Sequence, residues 1–245
     1  MLNERCGGSA TFEVLNLGIP HLTSAQIVAL FEHEGVPLAP DFVTFYEGVN
    51  DAAGTQERIA AGGAKRHPSA LRAFARALRQ RLMMVELAHD IAARKLEKRG
   101  AEYISDTARA RREQFVENLE ALRQATRRTN ATLVVANQQA KSTLHDRESI
   151  RGVRYADEVR EIRDLLAQRG FLYAPEALLL VHAELMDGEA RWSAAHEVPF
   201  VDLIHALDQR RDVLVSWVHL LPEGNRIIAD ELAAPILARA CPTHH

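Results

Sequence analysis

The chain is short of several things, and each shortage removes a class of protein. It has two cysteines among 245 residues. Cys6 and Cys241 sit near opposite ends without metal-ligand spacing, which excludes a multi-bridge disulfide framework and a cysteine-based zinc site. No apolar run approaches the roughly 18 residues that a membrane-spanning helix needs. The opening Met1-Leu2-Asn3-Glu4-Arg5-Cys6 has no apolar stretch behind a basic start, so the chain as written carries no secretory signal. The expected location is the cytoplasm, or outside it if a segment ahead of Met1 carried an export signal. Neither charge is in large excess: 30 Lys and Arg face 33 Asp and Glu, for a net charge of −3. Bulk electrostatics therefore offers nothing to nucleic acid or an anionic membrane. The basic clusters Arg109-Ala110-Arg111-Arg112 and Arg127-Arg128 lie in helical patterns beside acidic residues and read as solvated faces. A Gly-rich phosphate loop is missing, so no nucleotide cofactor is expected. His182-Ala183-Glu184 and His196-Glu197 lack metal spacing and read as surface helix residues. The expectation is no metal and no cofactor.

What is present suits one α/β domain with a substantial core: 47% of residues are hydrophobic and 26% charged. Thr11-Phe12-Glu13-Val14-Leu15-Asn16-Leu17 reads as a buried strand, ended by Gly18 and Pro20. Thr23-Ser24 can cap a helix from about Ala25 that Gly35 ends. Pro37 to Pro40 turn into a second strand at 41–47. Strand, helix, strand with short connections is the local signature of a parallel sheet. Residues 51–63 read as a loop. Ser69 to Lys98 reads as a long helix whose apolar stripe and Met83-Met84 pair could line an acyl pocket, with plain core the commoner role for such a stripe. A helix over 105–128 follows, then a strand over 130–136 and a polar loop over 137–151. Helices are expected over 155–169 and 178–185, a short strand over 198–203 and a last helix over 222–240.

Two segments carry chemistry. Gly48-Val49-Asn50-Asp51 closes the strand at 41–47 and puts an amide at a strand's C-terminal end. Val218-His219-Leu220-Leu221-Pro222-Glu223-Gly224-Asn225 puts an imidazole just before a helix. An amide donor and an imidazole are two parts of acyl transfer. Their order and context resemble the SGNH (GDSL-type) hydrolase superfamily, over roughly residues 12–51 and 198–238, with the middle matching through element order. The resemblance implies a flavodoxin-like three-layer α/β/α sandwich with a parallel sheet, as a single domain over 1–245 with a helical insertion at about 64–130. It also implies an esterase, lipase or deacetylase acting on a small-molecule ester. In that family a Ser after the first strand attacks the carbonyl, and fixed donors stabilise the charge that appears on its oxygen. Losing one such donor costs about 2.7–4 kcal/mol of barrier. By the match, Asn50 is an oxyanion donor, His219 the general base, and His21 supplies the remaining backbone N–H.

The sequence departs from the pattern at four places. His21 stands where the family has the oxyanion-hole Gly. Ser216 stands three residues before His219, where the acid is expected, and a hydroxyl cannot stabilise an imidazolium as a carboxylate does. Leu221 replaces a common Thr cap ahead of the last helix. The first strand with its Ser turn has no room before residue 12, so the nucleophile is unassigned; Ser9 in Gly7-Gly8-Ser9 is the weak candidate and Cys6 a weaker one. Asp202 and His205 have acid–base spacing but no following Pro-Glu-Gly helix. A sheet without its first strand must close by direct pairing of its neighbours or keep raw edges, which would favour self-association. The expectations are an ester hydrolase with an incomplete catalytic set, read from a gene that begins downstream of its true start, or an inactive relative with a binding or assembly role.

Overall fold

The computed structural model describes residues 2–8, 10–54 and 97–241. Its centre is a parallel sheet of β1 (Phe42–Tyr46), β3 (Thr132–Ala136) and β5 (Phe200–Val201), in the order β1-β3-β5. Strand β3 is apolar throughout because helices cover both of its faces. Leu133 and Val135 point into a core with Phe45, Phe115, Leu119 and Leu185, and Val134 and Ala136 into another with Val201, Leu203 and Ile228. This alternation at period two makes the molecule three layers. On the first face lie α2 (Ser24–Leu30), α4 (Ala101–Arg128) and α6 (Ala174–Ala195). On the second lie α7 (Leu203–Leu207) and α8 (Pro222–Ala240). The short α3 (Val49–Ala53) follows β1 directly. A third apolar cluster joins α5 (Tyr155–Arg169) to α6 through Val159, Ile162, Leu172 and Leu180. An antiparallel pair, β2 (Lys98–Gly100) with β4 (Phe171–Tyr173), closes its end.

Local chemistry accounts for the element ends. Helix α5 opens with Asp157 and Glu158 in its first turn, closes with Arg169, and is stopped by Gly170 at φ +74°. Helix α8 begins at Pro222, whose missing N–H is no loss there. Between α2 and β1 the chain tightens into a π turn over Phe31–Gly35 and a 3-10 turn over Val36–Leu38. The Phe31 ring lies on Gly35, where a Cβ would stand 2.2 Å from Cδ2. Only glycine permits that approach.

The N-terminal expectation is overturned. Residues 11–17 form no strand and are mostly exposed: Val14 is 76% and Leu15 54% exposed. The segment is anchored by the Asn3 side chain, which accepts from the Phe12 N–H at 2.6 Å and donates to its carbonyl at 3.2 Å. Phe12 itself packs against the core on the second face of the sheet. Strand preference expresses fit to a pleated surface, and without a neighbouring strand there is no such surface to fit. Strand β1 spends its ladder on β3, and among the described residues its other edge carries no strand. Of the long helix read over 69–98, residues 69–96 and the Met83-Met84 pair lie outside the described residues, while Lys98 belongs to β2. Two further corrections concern single residues. His182 is 1% exposed, not on the surface. Cys6 and Cys241, 235 residues apart, are bonded to each other.

Candidate active site

All three parallel strands end on the same side of the sheet, and the turns leaving them are stitched together by three consecutive amides. After β3 come Asn137, Gln138 and Gln139, all buried. Gln138 Oε1 accepts the Val49 N–H at 2.9 Å, reaching the turn after β1. Asn137 donates to Asp202 at 2.8 Å and accepts the Ile204 N–H at 2.9 Å, and Gln139 donates to the Ile204 carbonyl at 3.0 Å. Asp202 also accepts the His205 N–H at 3.0 Å, so its carboxylate caps α7. The sequence reading passed over these amides as part of a polar loop. The available signal was their position, directly after a wholly apolar strand.

On the β1 side, Asn50 sits at the start of α3, and its Nδ2 donates to the Leu22 carbonyl at 3.0 Å. The bond ties the Asn50 amide to the loop that carries His21. Asp51 completes the tie: its carboxylate accepts from Ser24 Oγ at 2.6 Å and Ser24 N–H at 2.8 Å. His21 has φ +69°, a left-handed backbone that favours glycine. Its main chain thus takes the shape of a glycine position while its side chain is exposed. Beneath this turn the polarity is unusual. Glu47 Oε1 accepts the Asn50 N–H at 2.8 Å, and burial pushes its carboxyl up to about 7 against the pull of the Asn50 and Gly48 N–H groups. Glu189 on α6 has no hydrogen-bond partner among the described residues, and burial, then the neighbouring Glu47, raise its carboxyl well above the usual range. His182 meets the Tyr155 hydroxyl at 2.7 Å, and burial holds its pKa down to about 3. It is a neutral core histidine.

On the other side, His219 is exposed on a narrow loop. The Val215 N–H donates to the His219 carbonyl at 2.8 Å, and Leu214 bridges Leu220. Ser216 Oγ lies 2.7 Å from His219 Nδ1, the contact a carboxylate would make from that position. The hydroxyl also accepts the His219 N–H at 3.1 Å and, weakly, the Val218 N–H at 3.4 Å. With its lone pairs engaged, its hydrogen is best directed at Nδ1, which places the ring proton of neutral His219 on Nε2. A carboxylate only accepts and would enforce the opposite tautomer, leaving Nε2 as the basic nitrogen.

The structure therefore puts Asn50, His21 and His219 at one edge of the sheet and joins their turns through the β3 loop. Val49 is bonded to Gln138, and the Lys141 N–H donates to the Trp217 carbonyl at 2.8 Å. The Asn50 amide and the His219 ring are held by different partners, the Leu22 carbonyl and Ser216 Oγ. Ser9 lies outside the described residues, and the disulfide consumes the Cys6 thiol. Among the described residues, Ser216 is the only hydroxyl hydrogen-bonded to the His219 ring, and no cluster of three or more His, Cys, Asp or Glu could hold a metal ion. No described helix is long and apolar enough to cross a membrane.

A family model described as GDSL-like Lipase/Acylhydrolase matches residues 3–232. No curated protein and no solved structure matches the chain.

Proposed function

Starting from the chain's membership of the GDSL-like lipase and acylhydrolase family, we propose that it hydrolyses acyl esters, as an esterase or deacetylase, and that Ser216 limits the reaction. The observation that carries this reading is the 2.7 Å contact between Ser216 Oγ and His219 Nδ1. It holds the imidazole by the nitrogen that the family's acid would hold, so that the reaction falls to Nε2. In the reaction, the His219 tautomer protonated at Nδ1, which the Ser216 hydroxyl disfavours, takes the proton of an attacking hydroxyl on Nε2 while negative charge develops on the ester carbonyl oxygen. Asn50 Nδ2 and the His21 N–H are the donors toward that oxygen. Collapse expels the alcohol, which leaves with the proton from His219. Ser9 is the hydroxyl offered by the sequence; water then releases the acyl group by the same proton transfers in reverse.

Hydrolysis of p-nitrophenyl acetate tests this reading. His219→Ala should lose on the order of 10²–10⁴ of the chain-dependent rate. Ser216→Asp should gain, by up to about 10⁴ if tautomer control is the whole deficit. Ser9→Ala identifies or dismisses the nucleophile. Equal rates for the chain and His219→Ala would overturn hydrolysis. The second reading, an inactive relative with a binding or assembly role, would then stand, and the hydroxyl at position 216 and the side chain at His21 both favour it.

Two further parts of the proposal rest on structure. The Cys6–Cys241 bond supports an oxidising compartment, hence the exported alternative. The edge of β1 that carries no strand among the described residues, and the apolar exposure around Val14, Leu15 and Ile19, support self-association.

A further inference from the structure

We infer that the buried pair Arg211–Glu158 positions His219 by clamping the base and the tip of its loop onto one three-residue segment. This rests on the proposed role of His219. Both side chains are 0% exposed, with Arg211 Nη2 2.5 Å from Glu158 Oε2. The same nitrogen donates to the Ala140 carbonyl at 2.6 Å, and Nη1 to the Val153 carbonyl at 3.2 Å. Glu158 Oε1 accepts from Ser142 Oγ at 2.5 Å and Ser142 N–H at 2.9 Å. Between Ala140 and Ser142 stands Lys141, whose N–H holds the Trp217 carbonyl.

Three consecutive residues after β3 thus grip Arg211, the loop tip and Glu158 in turn. From Arg211 the chain needs only two residues to reach Val213, whose carbonyl takes the Leu221 N–H at 2.8 Å and begins the paired stem. The other charges bordering the loop are committed elsewhere: Asp212 to Arg151 at 3.0 Å, and Glu223 to Arg210 at 2.9 Å. A buried ion pair is a poor device for stability, because desolvation offsets its attraction. A guanidinium bonded to two carbonyls and a carboxylate is a good device for fixing geometry. The clamp is far in sequence from its target and touches no reacting atom, so both residues are positioning residues.

The test reads the imidazole directly and needs no turnover. In the full chain, ¹⁵N NMR of the histidine rings, with His219→Ala to assign the signal, reports the tautomer and titration of His219. Glu158→Gln should move its Nδ1 and Nε2 resonances, at temperatures where the variant is folded. Ser142→Ala removes one arm of the same clamp and should move them in the same direction by less. Exposed His33, held by Glu34 at 3.0 Å, should not respond. A lowered melting temperature with His219 signals unchanged in the folded variants would overturn the inference and leave the pair a structural feature. If Glu158→Gln does not fold, Ser142→Ala decides alone. A clamp confirmed by NMR in a chain without esterase activity would retain the positioning and discard the hydrolase. Esterase activity with unmoved His219 signals would do the reverse.

Discussion

On the His219 side of the sheet, polar groups tie the β3 loop to the turn after β5, to the loop tip and, through Arg211, to α5. Asn137 and Gln139 hold the turn after β5, and Lys141 holds the loop tip. Arg211 and Glu158 hold the base. On the Asn50 side, residues 11–17 lie over the surface, held among the described residues by the Asn3 side chain and by Phe12, while Val14, Leu15 and Leu17 face solvent. Only from Leu22 onward do bonds to Asn50 and Asp51 fasten that side. In the proposed reaction the two sides carry complementary halves of one chemistry. A base can be oriented by a local loop with a buried support, which is the arrangement proposed for His219. An oxyanion donor set must be assembled from separate strands, and here the expected strand at 11–17 found no ladder to join.

The comparison can be broken most severely at the Glu47 turn, where the two sides meet. Glu47 is pushed up to about 7 in the folded chain, so its contribution is fully present below its ordinary value near 4.5. It is lost as pH rises through about 7, a change of about 3 kcal/mol. His182 works in the opposite sense, stabilising above 6.5 and losing that contribution as pH falls toward 3. Urea unfolding at pH 4.5 and pH 8 should show Glu47→Gln gaining about 3 kcal/mol relative to the unmodified chain over that interval. The effect of His182 is common to both proteins and cancels. A difference that does not change with pH would refute the buried placement of this carboxyl.

A smaller effect sharpens the comparison at His21. Its φ of +69° suits glycine, so His21→Gly should be neutral or stabilise by up to about 1 kcal/mol, whereas an ordinary loop His→Gly change costs chain entropy. Thermal melts distinguish a gain from a loss. The smallest effect belongs to the exposed segment. Val14→Ser with Leu15→Ser should change monomer stability by less than about 0.5 kcal/mol, since neither side chain is buried. If self-association uses this surface, sedimentation should show the variant less associated than the unmodified chain.

Much of the architecture was legible because its signals are local. The apolar runs of β1 and β3, the periodic faces of α4 and α5, and the Pro-Glu-Gly opening of α8 each specify an element within a few residues. The family motif was legible for the same reason: Asn50 and His219 lie in short, distinctive strings. Residues 11–17 misled because their composition suits a strand, and strand formation depends on a neighbour that composition does not report. Strand β4 and the burial of His182 were missed in kind, since each is decided by what packs against it.

Alone, then, the sequence determined the family and the parallel sheet, and it nominated the amide and imidazole of the proposed site, because backbone periodicity and short motifs are written in consecutive residues. Tertiary structure alone decided that Arg211 meets Glu158, that Cys6 meets Cys241 and that Gln138 reaches Val49. Those meetings span 53, 235 and 89 residues. Groups that far apart are brought together by burial of the core, which fixes where a polar side chain must find its partner.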